Sequence, residues 1–199
     1  NIAFANELSL ICDEQGINVW ELIRLANRHP RVNILQPGPG VGGHCIAVDP
    51  WFIVSQNPQL ARLIHTARLV NDGKPLWVVD RVKAAVADCL AASDKRASEV
   101  KIACFGLAFK PDIDDLRESP AVGVARLIAE WHVGETLVVE PNVEQLPKSL
   151  MGLVTLKDTA TALQQADVLV MLVDHKQFKA IKPEDIKQQW IVDTKGVWR

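Results

Sequence analysis

The chain has 199 residues, of which 48% are hydrophobic and 23% charged, and its net charge is −2 at pH 7. That length allows one large domain or two small ones, with a hydrophobic core of ordinary size. Lysine and arginine form no cluster, which argues against nucleic-acid binding. No apolar run approaches the roughly 20 residues that span a bilayer. The longest, Val168–Val173, is predicted to be a buried strand.

The chain starts at Asn1 rather than at Met, and its first residues have the pattern of the middle of a helix. We therefore expect a fragment whose true N-terminus is missing. Cys12, Cys89 and Cys104 lie in apolar helix or strand patterns, where buried free thiols are typical, and Cys45 lies in a loop. The irregular spacing argues against a disulfide framework and favours a reducing cytoplasm.

The first half is predicted to be helical. One helix ends at Gly16, and Asn18 caps the next. Residues 28–45 form a loop rich in Pro and Gly. Asp49 is predicted to be the N-cap of a third helix, with the following proline at its first position. A longer helix is expected from about 74 to 92, and its apolar stripe fits either a core or a subunit contact.

The composition changes near Asp94, and we place a domain boundary near residue 97. Beyond it, short apolar runs predict strands at Val100–Phe105, Thr136–Val139, Val168–Val173 and Ile191–Asp193, with a helix at Val122–Trp131. Strands that alternate with helices indicate an α/β fold with a parallel sheet. Ligands of such sheets bind at the carboxyl ends of strands, which selects Gly106–Lys110, Glu140, Asp174 and Thr194–Lys195.

The sharpest local motif is the glycine-rich run that leads from Gly40 to Cys45. Glycines let the backbone approach a ligand closely, and a thiol just before a helix N-terminus is placed to ionise and act as a nucleophile. Asp49 is placed to act on a water molecule near that sulfur. A connecting loop with an incidental buried cysteine, a zinc site that uses His44, and a cysteine protease are alternatives that the local pattern leaves open.

A second motif runs from Phe105 to Ser119, between a strand and a helix, where phosphate groups are commonly bound. Lys110 could contact a diphosphate as a point charge, and Arg117 could do so with two parallel hydrogen bonds. A solvated loop of mixed charge that ends in a Ser119 cap is the alternative. No G-x-G-x-x-G follows a strand, so the sequence contains no dinucleotide fingerprint.

Together the two motifs resemble the UDP-glucose and GDP-mannose dehydrogenase family. Its Gly-x-Gly-x-Gly-Gly-x-Cys loop with a later Asp corresponds to Gly38–Cys45 and Asp49, and its Phe-Lys and Asp-x-x-Arg-x-Ser elements correspond to residues 109–119. The resemblance covers nearly all 199 residues. The loop variants, and Val48 where the UDP-glucose branch has Lys, are similar to the branch that acts on UDP-N-acetyl-D-mannosamine.

The resemblance implies an oxidation of the sugar at C6 to a carboxylate, with two NAD per sugar. Cys45 would form a thiohemiacetal and then a thioester, and Asp49 would position or activate the water that hydrolyses it. Gly42 would offer its backbone to the substrate, and Lys195 would be a basic substrate contact.

For the remaining site residues, the resemblance implies contacts on both sides of the nucleotide and across a subunit boundary. Phe109 and Lys110 would clamp the uridine diphosphate, and Arg117 would face the cofactor side of the cleft. His29 and Arg31 would reach the substrate of a neighbouring subunit. No metal is implied.

The same resemblance predicts two domains. Residues 1–97 would form a helical central and dimerisation domain with the cysteine loop, and residues 98–199 a Rossmann-like domain that binds the UDP-sugar. The N-terminal dinucleotide-binding domain would be missing, so we expect no activity from this chain alone. Synthesis of a surface polysaccharide such as enterobacterial common antigen is the implied pathway. UDP-glucose or GDP-mannose oxidation and a non-catalytic UDP-binding or dimerisation module are the alternatives.

Overall fold

The computed structural model describes residues 1–186 and 188–198. Its first half contains four helices, α1 (Ile2–Glu14), α2 (Val19–Ala26), α3 (Asp49–Gln56) and α4 (Arg62–Ala91). Gly16 follows α1 with φ +68°, and the Asn18 side chain accepts a hydrogen bond from the Glu21 amide at 3.0 Å, so both predicted helix boundaries are confirmed. Within the described residues, no helix is long and apolar enough to cross a bilayer.

Two helix starts differ from the prediction. Helix α3 begins at Asp49 itself, and Val48 takes the N-cap position without a side-chain hydrogen bond. Helix α4 begins at Arg62 and continues through Pro75, instead of starting near residue 74. Proline removes one helical hydrogen bond, but α4 is buried on both sides of it, at Asn71 before and Val78 after. Tertiary packing therefore holds the helix together across the proline.

The second half is a five-stranded parallel sheet in the order β3-β2-β1-β4-β5, which confirms the predicted α/β class. The strands are β1 (Ile102–Phe105), β2 (Thr136–Val139), β3 (Thr155–Leu156), β4 (Val168–Met171) and β5 (Trp190–Asp193). The helices are α5 (Pro120–Trp131), α6 (Thr159–Gln165) and α7 (Lys176–Lys179), with 3-10 turns at Ala97–Glu99 and Pro183–Ile186. The sequence pattern predicted none of the short elements β3, α6 and α7.

The long helix α4 packs against the sheet. Its residues Val79, Val82 and Val86 are buried in the same apolar cluster as Ile102 of β1 and Ile128 of α5. The apolar stripe of α4 is therefore core over most of its length. The predicted boundary near residue 97 falls in the 3-10 turn between α4 and β1, and residue 199, where the second predicted domain ends, lies outside the described residues.

Candidate active site

The ends of the parallel strands bring the suspected residues to one edge of the sheet, as expected. The Lys195 ammonium, after β5, lies 3.3 Å from Oδ1 of Asp174, which follows β4. Burial opposes ionisation of Asp174, but the nearby ammonium groups of Lys195 and Lys179 outweigh it and hold the pKa of Asp174 below its usual range. This edge therefore carries a fixed, partly neutralised pair of charges.

A cleft of about 340 Å³ separates this edge from the glycine loop. Of the predicted site residues, it brings together Gly42, Phe109, Lys110 and Lys195. The Lys195 ammonium lies 3.6 Å from the point where a side chain on Gly38 would begin, so the lysine reaches across to the loop. Two lysines beside an apolar wall suit a ligand that has a flat apolar part and a strongly anionic part.

The glycines of this loop are required by contacts with the protein itself. A Cβ atom on Gly42 would lie 2.5 Å from the carbonyl oxygen of Glu118 and 2.9 Å from Cβ of Phe109. Gly43 has φ +89°, and a Cβ there would lie 3.2 Å from the Phe109 ring. The absence of side chains therefore lets the loop pack directly onto the second motif. That Gly42 also contacts the substrate stays a prediction.

A buried asparagine, which the sequence analysis did not select, holds the loop from behind. Oδ1 of Asn6 in α1 accepts a hydrogen bond from the Gly38 amide at 3.0 Å, and its Nδ2 donates to Oδ1 of Asn71 in α4 at 2.9 Å. Both asparagines are buried. Buried polar side chains need partners, so two asparagines within apolar helix patterns were the available signal.

Cys45 lies at the end of the loop, on the surface. Its carbonyl oxygen accepts hydrogen bonds from the amides of Val48 at 3.1 Å and Asp49 at 2.8 Å, which forms the turn that leads into α3. The next residue, Ile46, lines the cleft, whereas Cys45 itself is not one of the lining residues. Asp49 is exposed in the first turn of α3, and the turn that begins at Cys45 ends at this residue.

The four cysteines differ sharply in environment. Cys12, Cys89 and Cys104 are buried, as predicted, whereas Cys45 is exposed. Burial raises the pKa of the Cys104 thiol to about 12, and it also raises the pKa values of Cys12 and Cys89. An incidental buried cysteine at position 45 is therefore excluded.

Five predicted residues lie outside the lining of the cleft: Cys45 and Asp49, described above, and His29, Arg31 and Arg117. His29 and Arg31 are exposed after α2, where the Arg31 amide donates to Nδ1 of His29 at 3.3 Å. The guanidinium of Arg117 binds the carboxylate of Asp115 with two bonds, Nε–Oδ1 at 2.9 Å and Nη2–Oδ2 at 2.6 Å. These bonds lower the pKa of Asp115 to about 2. Contacts of His29 and Arg31 with another subunit, and of Arg117 with a cofactor, stay predictions.

The most extensive polar cluster at the edge is centred on Glu140, which was selected only as a strand-end residue. Its Oε2 accepts from the amides of Leu107 at 2.7 Å and Ala108 at 3.0 Å, and from Nε2 of His175 at 3.0 Å. Burial opposes ionisation, but the bonds from His175 and the Leu107 amide outweigh it and hold the pKa of Glu140 below its usual range. His175, also buried, was missed by the sequence analysis.

The fold and the cleft define a class: a parallel α/β nucleotide-binding unit with a cationic cleft at its carboxyl edge and an exposed thiol beside it. Comparison with known families agrees with that class. Residues 103–199 match the UDP binding domain, and residues 1–73 the central domain, of the UDP-glucose/GDP-mannose dehydrogenase family. The chain belongs to this family, and the resemblance seen in its motifs is confirmed.

Individual relatives place the chain more closely. It is 81% identical over 199 residues to a UDP-N-acetyl-D-mannosamine dehydrogenase of Salmonella typhi and 79% identical to the protein of that name from Escherichia coli K12. Each match covers all of this chain and 47% of the relative, so the chain spans about half the length of these relatives. Among solved structures, the UDP-N-acetyl-mannosamine dehydrogenase Cap5O from Staphylococcus aureus is similar, with a TM-score of 0.80 and 40% identity over 98% of this chain and 44% of that one.

Proposed function

We propose that this chain is the substrate-binding and thiol-bearing part of an NAD-dependent enzyme that oxidises UDP-N-acetyl-D-mannosamine at C6 to UDP-N-acetyl-D-mannosaminuronate. The observation that carries the proposal is the cleft, in which Phe109, Lys110 and Lys195 face the glycine loop that ends in the exposed Cys45. The relatives at 79–81% identity have that substrate in their names, which supports the choice of sugar.

The two lysines are the proposed diphosphate contacts. Lys110 is exposed at the cleft, with its ammonium 5.6 Å from the centre of the Phe109 ring, and Lys195 approaches from the end of β5 at the same edge of the sheet. Charge-assisted hydrogen bonds from ammonium groups to phosphate oxygens are about twice as strong as neutral ones. Because Asp174 already pairs with Lys195, the carboxylate also holds that ammonium in position before the ligand binds.

The proposed role of Cys45 is covalent. Once C6 of the sugar is an aldehyde, the thiolate adds to it, a carbon–sulfur bond forms and the carbonyl oxygen takes a proton. After further oxidation to the thioester, water adds to C6, the carbon–sulfur bond breaks and the thiolate leaves. Asp49 is proposed to orient that water and accept its proton, since it lies one turn of chain from the cysteine. NAD bound elsewhere in the protein would supply the oxidant for both oxidations.

The Rossmann-like unit of this chain does not fit NAD. A dinucleotide site uses the amides of the first turn after a strand to bind the pyrophosphate. Here the amides of Leu107 and Ala108, directly after β1, already bind the carboxylate of Glu140. We therefore propose that NAD is bound by a part of the protein outside these 199 residues, and that this chain alone does not turn over substrate.

The setting of the enzyme is also proposed. Exposed leucines lie along α4, at Leu63, Leu69 and Leu76, which supports a homodimer or higher homo-oligomer in which helices of two subunits pack together. All four cysteines are free, which favours a cytoplasmic location. The product, an acidic aminosugar nucleotide, suits synthesis of a surface polysaccharide such as enterobacterial common antigen.

The nucleotide half of the proposal is tested by calorimetric titration of the chain with UDP and with GDP. We expect UDP to bind at least about tenfold more tightly than GDP, and Lys110→Met to weaken UDP binding by about tenfold. The control is Lys83→Met, which removes an exposed lysine paired with Asp80 on α4, away from the cleft. Equal binding of both nucleotides would favour the GDP-mannose alternative, and no binding of UDP would overturn the assignment.

The catalytic half is tested by NAD reduction with UDP-N-acetyl-D-mannosamine. The 199 residues alone are expected to give none, because the sequence contains no dinucleotide fingerprint and the first turn after β1 already binds Glu140. Robust turnover by this chain would contradict the proposal that NAD binds elsewhere.

A further inference from the structure

The loop that carries Lys110 is attached to the sheet at two points, and both attachments converge on one buried pair of side chains. At its start, the amides of Leu107 and Ala108 donate to Glu140, which follows β2. At its end, the amide of Asp112 donates to Nδ1 of His175 at 2.9 Å. Glu140 and His175 are buried and bond to each other at 3.0 Å.

The hydrogen bonds determine the protonation state of His175. A backbone amide can only donate, so the Asp112 amide requires Nδ1 to be an acceptor. Nδ2 of Asn142 also faces Nδ1, at 3.1 Å. The proton of the neutral ring must then be on Nε2, where it is donated to the carboxylate of Glu140. A neutral imidazole in this tautomer accepts from the Asp112 amide and donates to Glu140, while Oδ1 of Asp112 lies 3.8 Å from Nδ1, beyond hydrogen-bond distance.

The backbone of Asp112 is held in a conformation that residues other than glycine rarely adopt. Its φ is +61°, in the left-handed region, and its Oδ1 accepts a hydrogen bond from the Lys176 amide at 3.0 Å. Pro111, just before it, further restricts the backbone of Lys110. Such a conformation persists when surrounding contacts determine it, and here the His175 bond is one of them.

The carboxylate of Glu140 also occupies the position in which a phosphate would contact the first turn. Because the amides of Leu107 and Ala108 are taken, a bound diphosphate has to find its donors further along the loop, and Lys110 is the next cationic side chain. Lysine is a flexible point charge, so its reach into the cleft depends on where the backbone is held.

We infer that the buried Glu140–His175 pair is the positioning element that holds Lys110 at the diphosphate subsite, an inference that rests on the proposed function. Glu140 fixes the start of the loop, and His175 fixes its end. Phe109 lies between the two attachments and packs against Gly43, so the same pair also sets the contact between this loop and the glycine loop.

The first test measures the pair without any ligand. Two-dimensional NMR of the chain with 15N-labelled histidine reports which ring nitrogen carries the proton. We expect the Nε2–H tautomer for His175, assigned by its loss in His175→Gln. A ring protonated at Nδ1, or on both nitrogens at neutral pH, contradicts the network.

The second test is a double-mutant cycle on UDP affinity. We expect Glu140→Gln to weaken UDP binding about tenfold, since an amide nitrogen would then face amide donors. If Glu140 acts through Lys110, the double variant Glu140→Gln/Lys110→Met binds UDP within about threefold of Lys110→Met alone. Glu135→Gln is the matched control, because Glu135 precedes the same strand at its other end and pairs with Lys101. It is expected to change UDP affinity less than twofold.

Two histidine variants separate the attachments and replace Glu140→Gln should that variant fail to fold. His175→Asn keeps an acceptor for the Asp112 amide, and His175→Gln keeps a donor for Glu140. Each is expected to weaken UDP binding about threefold, and the loss is expected to vanish in the Lys110→Met background. Losses that multiply with that of Lys110→Met, or variants that bind UDP like the unmodified chain, overturn the inference. If the unmodified chain binds no UDP, the proposed function itself fails, a result that the first titration separates from these.

Discussion

Each of the two walls of the cleft has a buried ionisable group behind it, and the two groups are stabilised very differently. On the side of the glycine loop, Lys74 lines a separate cavity together with Pro37. It donates to Oγ of Ser9 at 2.6 Å and lies 3.6 Å from the Trp77 ring, and burial lowers the pKa of this lysine to about 7. Behind the other wall, Glu140 accepts three backbone bonds and one from His175, and its pKa is also lowered, which for an acid favours the charge.

The difference shows that hydrogen bonds decide whether a buried charge is tolerated. Lys74 has few partners, so burial shifts its equilibrium toward the neutral amine, while Glu140 has enough donors for its pKa to stay low. The glycine loop depends on close packing and on Asn6 for its position, and the opposite loop depends on the charge of Glu140. Substitutions in the glycine loop are therefore expected to act through packing, and substitutions behind the opposite loop through electrostatics.

The largest expected effect concerns the thiols on the two sides. Cys45 ends the glycine loop on the surface, and Cys104 is buried in β1 behind the other wall. We expect iodoacetamide to alkylate Cys45 about a thousandfold faster than Cys104, measured by mass spectrometry of peptides, because reaction at Cys104 requires opening of the core. In the denatured chain all cysteines should react alike. A Cys45 rate no faster than that of the buried thiols would favour a non-catalytic UDP-binding module.

The packing of the glycine loop is tested by Gly42→Ala. Its new Cβ would meet the backbone oxygen of Glu118 at 2.5 Å, which cannot move as a flexible side chain would. We expect a loss of about 3 kcal/mol in the free energy of unfolding, measured in urea. The matched control is Gly73→Ala in α4, where a Cβ meets no atom within 4 Å and where alanine is expected to stabilise the helix by up to about 1 kcal/mol. Similar effects at both positions would contradict the packing argument.

The buried lysine predicts a dependence of stability on pH. Its folded pKa, about 7, is below the usual 10.5, so between these values the unfolded chain binds more protons and stability rises with pH. Lys74→Met is therefore expected to stabilise the chain at pH 6, by about 2 kcal/mol, and the gain is expected to shrink as the pH approaches 10. The exposed Lys83→Met serves as control. A gain that is the same at pH 6, 8 and 10 would show that burial of charge is not its cause.

The smallest expected effect is on UDP affinity, from a substitution of Lys195 at the carboxyl edge of the sheet. Lys195→Met removes one proposed diphosphate contact and leaves Asp174 without its 3.3 Å ion pair. Titration is expected to show UDP affinity reduced by about tenfold, or about 1.4 kcal/mol, with thermal stability nearly unchanged because the partner Lys179 remains 2.7 Å from Asp174. An unchanged UDP affinity would remove Lys195 from the diphosphate subsite.

Local patterns were sufficient for much of the fold and for part of the cleft. Apolar runs located β1, β2, β4 and β5, and Asn18 marked the start of α2, because alternation of strands with helices and helix caps are properties of neighbouring residues. The two motifs contain Gly42, Phe109 and Lys110, and the position after the last predicted strand selected Lys195. The fold brings all four to one cleft. That cleft follows from parallel strands, whose carboxyl ends share an edge.

The state of the charged groups, in contrast, was decided by the tertiary structure. Glu140 lies 33 residues from the Leu107 amide and 35 from His175, and no pattern along the chain relates them. The same holds for Lys74, which contacts Ser9 across 65 residues, and for α4, which continues through Pro75 because it is packed on several sides. Secondary structure depends mainly on residues adjacent in sequence, whereas the cost of burying a charge depends on which polar groups the folded chain places around it.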